Sequence, residues 1–212
     1  MSEVESRGRV RMTARERREQ LILVGRALFA AKGFDGTSIE EIATHANVSK
    51  PVVYEHFGGK EGLYAVVVDR EMGNLLSRLT TALSAGHPRA LSEQAALALL
   101  TYIEEETDGF RILSRDSTAG GTGAFSSLLN DVASQVEYVL VREFGRRRLS
   151  TEYAAMYAQM LVGMVALTGM WWLEERTPAR EVVAAHIVNL GWNGLAHLEA
   201  EPRPIEARPQ RT

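Results

Sequence analysis

The sequence predicts an all-α protein, with a block of three short helices at the N-terminus and a larger helical domain after it. Three observations carry this. Apolar residues recur at helical spacing, as in Leu21, Val24, Leu28 and Ala31. The helix-opening signature Thr/Ser-x-x-Glu appears repeatedly. Alternating β-branched runs are missing apart from short stretches such as Val66-Val67-Val68, and no βαβ pattern appears.

The opening residues, 1–12, hold Arg7, Arg9 and Arg11 among acids and are expected to form a flexible arm without a secretory signal. The first helix should open at Thr13, where "TARE" sets Glu16 at the spacing of a reciprocal cap, and end near Lys32-Gly33, with glycine free to turn left-handed. "TSIEE" repeats the signature with two candidate caps, Thr37 and Ser38, and a second helix runs to about Ala46. After Asn47-Val48, Ser49 is a good N-cap and Pro51 falls in the first turn, where its missing N–H costs nothing. That third helix, Lys50 to about Phe57, should break at Gly58-Gly59. A fourth is expected from Lys60 to about Leu83, before the connector "SAGHPRA".

Further helices are expected at about Leu91 to Asp108, Gly109 to Ser114, Phe125 to Arg147, Thr151 to Glu175 and Pro178 to His197. "STAGGTGAFSS" is expected to be a mobile loop. Residues 201–212 hold three of the six prolines and few apolar residues, and are expected to be disordered. The domain boundaries follow: 13–59 for the small helical block and 60–200 for the larger one.

The chain has 212 residues, 45% hydrophobic and 24% charged, enough for a sizeable core. It has no cysteine, which excludes disulfides, thiolate catalysis and cysteine-ligated metals, and its histidines show no ligand-like spacing, so no metal and no cofactor are expected. Residues 1–70 hold eleven Lys and Arg against ten Asp and Glu, and the remainder thirteen against seventeen. Any contact with nucleic acid must therefore be local. The apolar stretch Met156 to Leu173 contains Gln159, Gly163, Thr168 and Gly169 and reads as a buried helix rather than a membrane span; a cytoplasmic protein is expected.

Two short helices joined by a tight turn form a helix-turn-helix. Ile39, Ile42, Ala43, Val48, Val53 and Phe57 supply an inward face, leaving Lys50, Pro51, Val52, Tyr54, Glu55 and His56 outside. Gly58-Gly59-Lys60 is a helix junction, because the other residues of a phosphate loop are missing.

"TSIEEIATHANVSKPVVYEHFGGKEGLY", with the preceding "LFAAKGFDG", resembles the DNA-binding domain of the TetR family of bacterial transcriptional regulators. The likeness covers Thr13 to Tyr64 almost without a gap. It implies a homodimeric repressor, with paired third helices in successive major grooves of a palindromic operator in double-stranded DNA and a larger domain that binds a small-molecule effector. Carried onto this chain, Lys50, Pro51 and Val52 fall on positions that touch bases or nearby phosphates. Tyr54, His56 and Lys60 fall on phosphate-clamping positions, and Thr37 and Ser38 would reach phosphate from the second helix. Many members have Gly-Thr or Gly-Ala where this chain has Pro51-Val52, which can meet thymine methyls but cannot make bidentate base contacts.

In the larger domain, Tyr102, Phe110, Leu113, Arg115, Phe125, Leu129, Met160, Met164 and Trp172 are expected to line an effector pocket, with Arg111, Arg115 and Asp116 orienting a polar end. "DGFRIL" and "LVGM...WW" weakly resemble regulators of that family that sense fatty acyl compounds. A dimer interface is expected from Met156, Gly163, Leu167, Trp171, Val183, Ile187, Leu190, Gly191 and Gly194, because small residues at helical spacing allow close approach. Two other classes stay open: a helical module that binds protein, which a salt-dependent shift of a palindromic duplex would exclude, and an all-helical enzyme, for which no convergent acid, base or metal set is visible.

Overall fold

The computed structural model describes residues 12–84, 86–118 and 123–202, and every described element is helical. Residues 1–11 of the expected arm, the centre of the expected loop (119–122) and the tail beyond residue 202 lie outside the described residues. Among the described residues nine α-helices follow in order: α1 (Ala14–Lys32), α2 (Ile39–His45), α3 (Lys50–Phe57), α4 (Lys60–Ala82), α5 (Pro88–Glu105), α6 (Thr107–Thr118), α7 (Ala124–Arg147), α8 (Ala154–Glu175) and α9 (Arg180–Ala196). Relative to expectation, α5 starts three residues earlier, at Pro88, and α6 is longer at both ends.

The cap chemistry explains where the first helices begin. Thr13 accepts from the Glu16 N–H while the Glu16 carboxylate accepts from the Thr13 N–H at 2.7 Å, a complete capping box. Those bonds, from the Thr13 backbone first and its hydroxyl second, hold the Glu16 carboxyl below its ordinary value. The cap is therefore intact above the usual glutamate range and is lost as pH falls through the lowered value. Of the two candidates for α2, Ser38 is the N-cap, accepting from the Glu41 N–H at 3.2 Å. Gly58 ends α3 in the left-handed conformation, and at Gly62 a side chain would begin 1.9 Å from the Phe57 carbonyl oxygen. Only glycine fits that corner.

The chain forms two compact units. The first comprises residues up to Glu71 together with Asp108–Arg115, and the second comprises Met72–Thr107 and the residues from Asp116 onward. α4 is continuous through the boundary. In the first unit, Leu21, Leu28 and Phe29 of α1, Ile42 of α2, Val53 of α3 and Leu63 of α4 are buried with Phe110 and Leu113. Phe29, Phe34 and Tyr64 form an aromatic cluster, the Phe29–Tyr64 pair meeting edge to face at 5.0 Å. Arg26 and Glu71 pair at 2.8 Å beside it.

In the second unit α7 packs on α8, and α5 packs on both α8 and α9. Glycine placement shows how closely. A side chain at Gly169 would begin 3.0 Å from Ile103 and 3.1 Å from Leu99, so α8 and α5 touch there almost backbone to side chain. Trp172 is buried and donates its indole N–H to the Pro178 carbonyl at 2.7 Å.

The expectation that α8 is a buried helix holds for one face only. Ala158, Val162, Ala166 and Gly169 point inward, whereas Met156, Met160, Leu167 and Trp171 are exposed. By length and composition the Thr151–Glu175 segment could cross a membrane, but Ala154, Ala158, Ala166 and Gly169 pack it against its own unit.

Replacing Gly169 by Leu should overpack the α5–α8 contact and destabilise the second unit by about 1–3 kcal/mol. Trp172→Ala should cost about 3–5 kcal/mol and Trp172→Phe less, because the ring is kept and one hydrogen bond is lost. Chemical denaturation followed by tryptophan fluorescence and circular dichroism checks the order.

Candidate nucleic-acid interface

α3 has eight residues, too few for a helix to persist in water without tertiary support. Val53 is wholly buried and Phe57 half-buried, so one face is anchored. The C-terminal end is gripped from α1, where the Arg18 guanidinium donates to the His56 carbonyl at 2.7 Å and lies 4.4 Å from the centre of the Phe57 ring. Gln20 donates to the Ala46 carbonyl at 3.2 Å and ties the end of α2 to the same helix. Arg18 and Gln20 had not been singled out in the sequence, where nothing local marks partners 38 and 26 positions away.

What remains outside is the predicted set, with distinctions. Ser38, Lys50, Pro51 and Tyr54 are exposed, Tyr54 by 54%, while Val52 and His56 are half-buried. Lys50 is joined to Glu40 of α2 by an ion pair, and this contact, with a bond from its own N–H second, holds the Glu40 carboxyl below its ordinary value.

Two predicted phosphate contacts take a different place. Thr37 is 2% exposed and its hydroxyl donates to the Gly33 carbonyl at 2.8 Å, so its side chain fastens the α1–α2 turn and is not offered outward. Lys60 is half-buried, donates to the Phe34 carbonyl at 3.0 Å and sits 4.1 Å from the centre of the Phe34 ring. Its first duty is to pin the loop after α1 to the start of α4.

The second unit contains an apolar cavity of about 380 Å3. Leu75 and Leu79 of α4, Leu83 just after it, Leu91 and Leu99 of α5, Phe125, Leu129 and Val136 of α7, Met164 of α8 and Ile187 of α9 line it. Of the expected lining, Phe125, Leu129 and Met164 are there. The other six expected residues are elsewhere. Phe110, Leu113 and Arg115 cluster with the first unit, where Arg115 donates to the Ala30 carbonyl at 2.6 Å. Tyr102 and Trp172 are buried outside the cavity lining, and Met160 is exposed. Arg111 also groups with the first unit, and the Asp116 side chain lies outside the described residues. The polar groups at the cavity are instead Ser92, Glu143, Arg147 and Trp192, and a smaller space of about 190 Å3 shares Pro88, Leu91, Val139 and Glu143 with it and adds Arg142 and Arg146.

The expected interface residues also divide. Leu167 and Leu190 are about two-thirds exposed, Trp171 and Met156 about half, and a side chain at Gly163 or Gly194 would meet nothing of its own chain. Val183 and Ile187 are buried inside their own unit, and a side chain at Gly191 would meet Met164 and Leu161, so these three belong to the interior.

A helix-turn-helix held rigidly on a third helix, followed by a helical unit with an apolar cavity, defines a DNA-binding transcriptional regulator with a separate sensing unit. The model of bacterial regulatory proteins of the tetR family matches residues 21–67, and that of the Tetracyclin repressor-like C-terminal domain matches residues 78–208. The chain belongs to the TetR family.

Among its relatives, the HTH-type transcriptional activator FasR of Mycolicibacterium smegmatis is 29% identical over 193 residues, 89% of this chain and 87% of that protein. The HTH-type transcriptional repressor BepR of Brucella suis is 27% identical over 74% of this chain and 80% of its own. A TetR-like regulator from Rhodococcus sp. RHA1 superposes with a TM-score of 0.71 at 22% identity, covering 89% of this chain and all of that one. A Clostridium perfringens protein assigned to fatty acid metabolism regulation has a TM-score of 0.65 at 19% identity, over 82% and 97%.

Thr37→Val should lower the stability of the first unit by about 1 kcal/mol, through the lost bond to Gly33. Ser38→Ala should cost about as much through the lost cap. Thermal unfolding of the two variants beside the parent protein measures both.

Proposed function

We propose that the chain is a repressor that binds a palindromic operator as a homodimer and is released by a mainly apolar effector with an anionic or strongly polar end. The observation that carries this reading is the cavity, whose volume falls within the roughly 300–1,000 Å3 of small-molecule sites and whose wall includes Leu75 and Leu79 of α4. That helix begins at Lys60, in the unit that holds α3. An effector that fits one setting of α4 better than another shifts the population of reading-helix positions. DNA and effector then weaken each other by the same factor.

At the DNA, Lys50, Pro51 and Val52 meet base edges or adjacent phosphates, while Tyr54, His56 and Ser38 position the phosphate backbone. Lys60 keeps two further donors and contributes through them and through the loop it pins. The dimer covers the open α8–α9 face of Met156, Gly163, Leu167, Trp171, Leu190 and Gly194. A two-fold pair of such faces matches a palindrome. In the cavity, lined almost wholly by carbon, a fatty acyl chain or a comparable apolar body is the fitting occupant, with its charged end towards Arg142 and Arg146. The protein assigned to fatty acid metabolism regulation among the structural neighbours is consistent with that class. A regulator working directly on DNA acts in the cytoplasm.

FasR, matched over most of its length, is an activator and favours a second reading, in which the same release lowers transcription. A reporter fused to the region upstream of the coding sequence decides the sign.

Leu167→Glu and Gly163→Leu should give monomers in sedimentation velocity, with operator affinity lost and far-ultraviolet circular dichroism retained; dimers in both variants would overturn the interface. Lys60→Ala should reduce the slope of log affinity against log salt by about one. Operator release titrated with fatty acids and acyl thioesters of graded length should depend on length, and Leu129→Trp, which fills the cavity, should weaken the response about ten-fold or more. Release by sugars or nucleotides alone would defeat the apolar-effector reading.

A further inference from the structure

α3 contains one Lys or Arg, Lys50, and α2 and α3 together hold three carboxylates, Glu40, Glu41 and Glu55. Glu41 is paired with Lys32 of α1. Glu40 is paired with Lys50, and both side chains remain more than half exposed, at 61% and 53%. The cation at the start of the reading helix therefore carries a carboxylate beside it, on the face offered to a polyanion.

For phosphate recognition that arrangement is a defect, because the carboxylate neutralises the cation and repels the phosphate. For one kind of base pair it is a match. In the major groove G·C presents two adjacent acceptors, guanine N7 and O6, next to one donor, the cytosine N4 amino group, and no methyl. A·T places its amino donor between two acceptors and adds the thymine methyl. An ammonium and a carboxylate held side by side complement the first pattern.

We infer that Glu40 and Lys50 act as one specificity-determining couple that reads a G·C pair in each half-site, Lys50 donating to guanine and Glu40 accepting from the cytosine amino group. The inference rests on the placement of α3 at the operator proposed above. Pro51 and Val52, next in sequence, offer only apolar contact, so the couple supplies the hydrogen-bonded base reading at this end of the helix.

The test is binding-site selection from a duplex library with randomised half-sites, using the full chain, Glu40→Ala, Glu40→Gln and Lys50→Ala, followed by affinities for single duplexes at fixed salt. The parent protein should select G·C at one position per half-site. Glu40→Ala should lose that preference by about ten-fold while the other positions are unchanged. Glu40→Gln should move it towards A·T, because a carboxamide pairs with adenine N6 and N7. The readout is base preference within the bound fraction, so partial loss of folded protein does not alter it.

If Glu40→Ala tightens binding to every duplex alike and keeps the same consensus, the carboxylate only screens Lys50 and the couple is refuted. If Lys50→Ala also leaves consensus and affinity intact, the reading face itself has been misassigned and the DNA-contact proposal falls with it.

Discussion

An eight-residue helix cannot hold its own direction, and everything this protein does at DNA depends on the bonds that hold α3. Those bonds come mainly from α1. Arg18 closes on the His56 carbonyl and covers the Phe57 ring, Gln20 fixes the end of α2, and Val53 plugs the core. At the same end Gly62 lets α4 start against the Phe57 carbonyl, so α3 and α4 are joined through a corner with no room for a side chain. A reading helix gripped at its C-terminal end and plugged by Val53 is held as part of the first unit.

This division of labour explains which parts were legible in the sequence. Caps are local: Thr13 with Glu16, Gly33 and Pro51 announce helix ends within four residues, and the helices lie where those signals put them. Where two local signals competed, at Thr37 and Ser38, sequence could not choose. The structure does so by depth, since the threonine hydroxyl finds the Gly33 carbonyl underneath and the serine is left to cap. The family resemblance fixed the fold and the class of function. It did not reveal that Thr37 is enclosed or that Lys60 already has a partner, because both depend on which way the carbonyls of the α1–α2 turn point, Gly33 towards Thr37 and Phe34 towards Lys60.

In the second unit the sequence was readable by type and not by direction. Small residues along α8 showed that helices come close, but Gly169 serves α5 of the same chain while Gly163 faces open space, about two-thirds of a turn apart in phase. Val183 and Ile187 look like interface residues by spacing, yet they point inward. Six of the nine expected pocket residues lie elsewhere for the same reason. Aromatic size suggested a lining, whereas the large aromatics Tyr102, Phe110 and Trp172 are used as buried filler, and the cavity is walled largely by leucine and valine. A flexible apolar occupant meets such a wall without demanding any one orientation, so discrimination must come from length and from the polar end.

Charge completes the logic. A chain of net charge -3 with its reading-face cation already paired to a carboxylate gains little from non-specific attraction to phosphate. Weak non-specific attachment leaves more of the total affinity to contacts that only the right sequence supplies. It also sets the scale of the switch. When the sequence-independent part of the binding is small, a modest displacement of α3 that breaks the specific contacts removes most of the affinity. An effector in an apolar cavity, with a coupling of only about 1–3 kcal/mol, is then sufficient to release the operator.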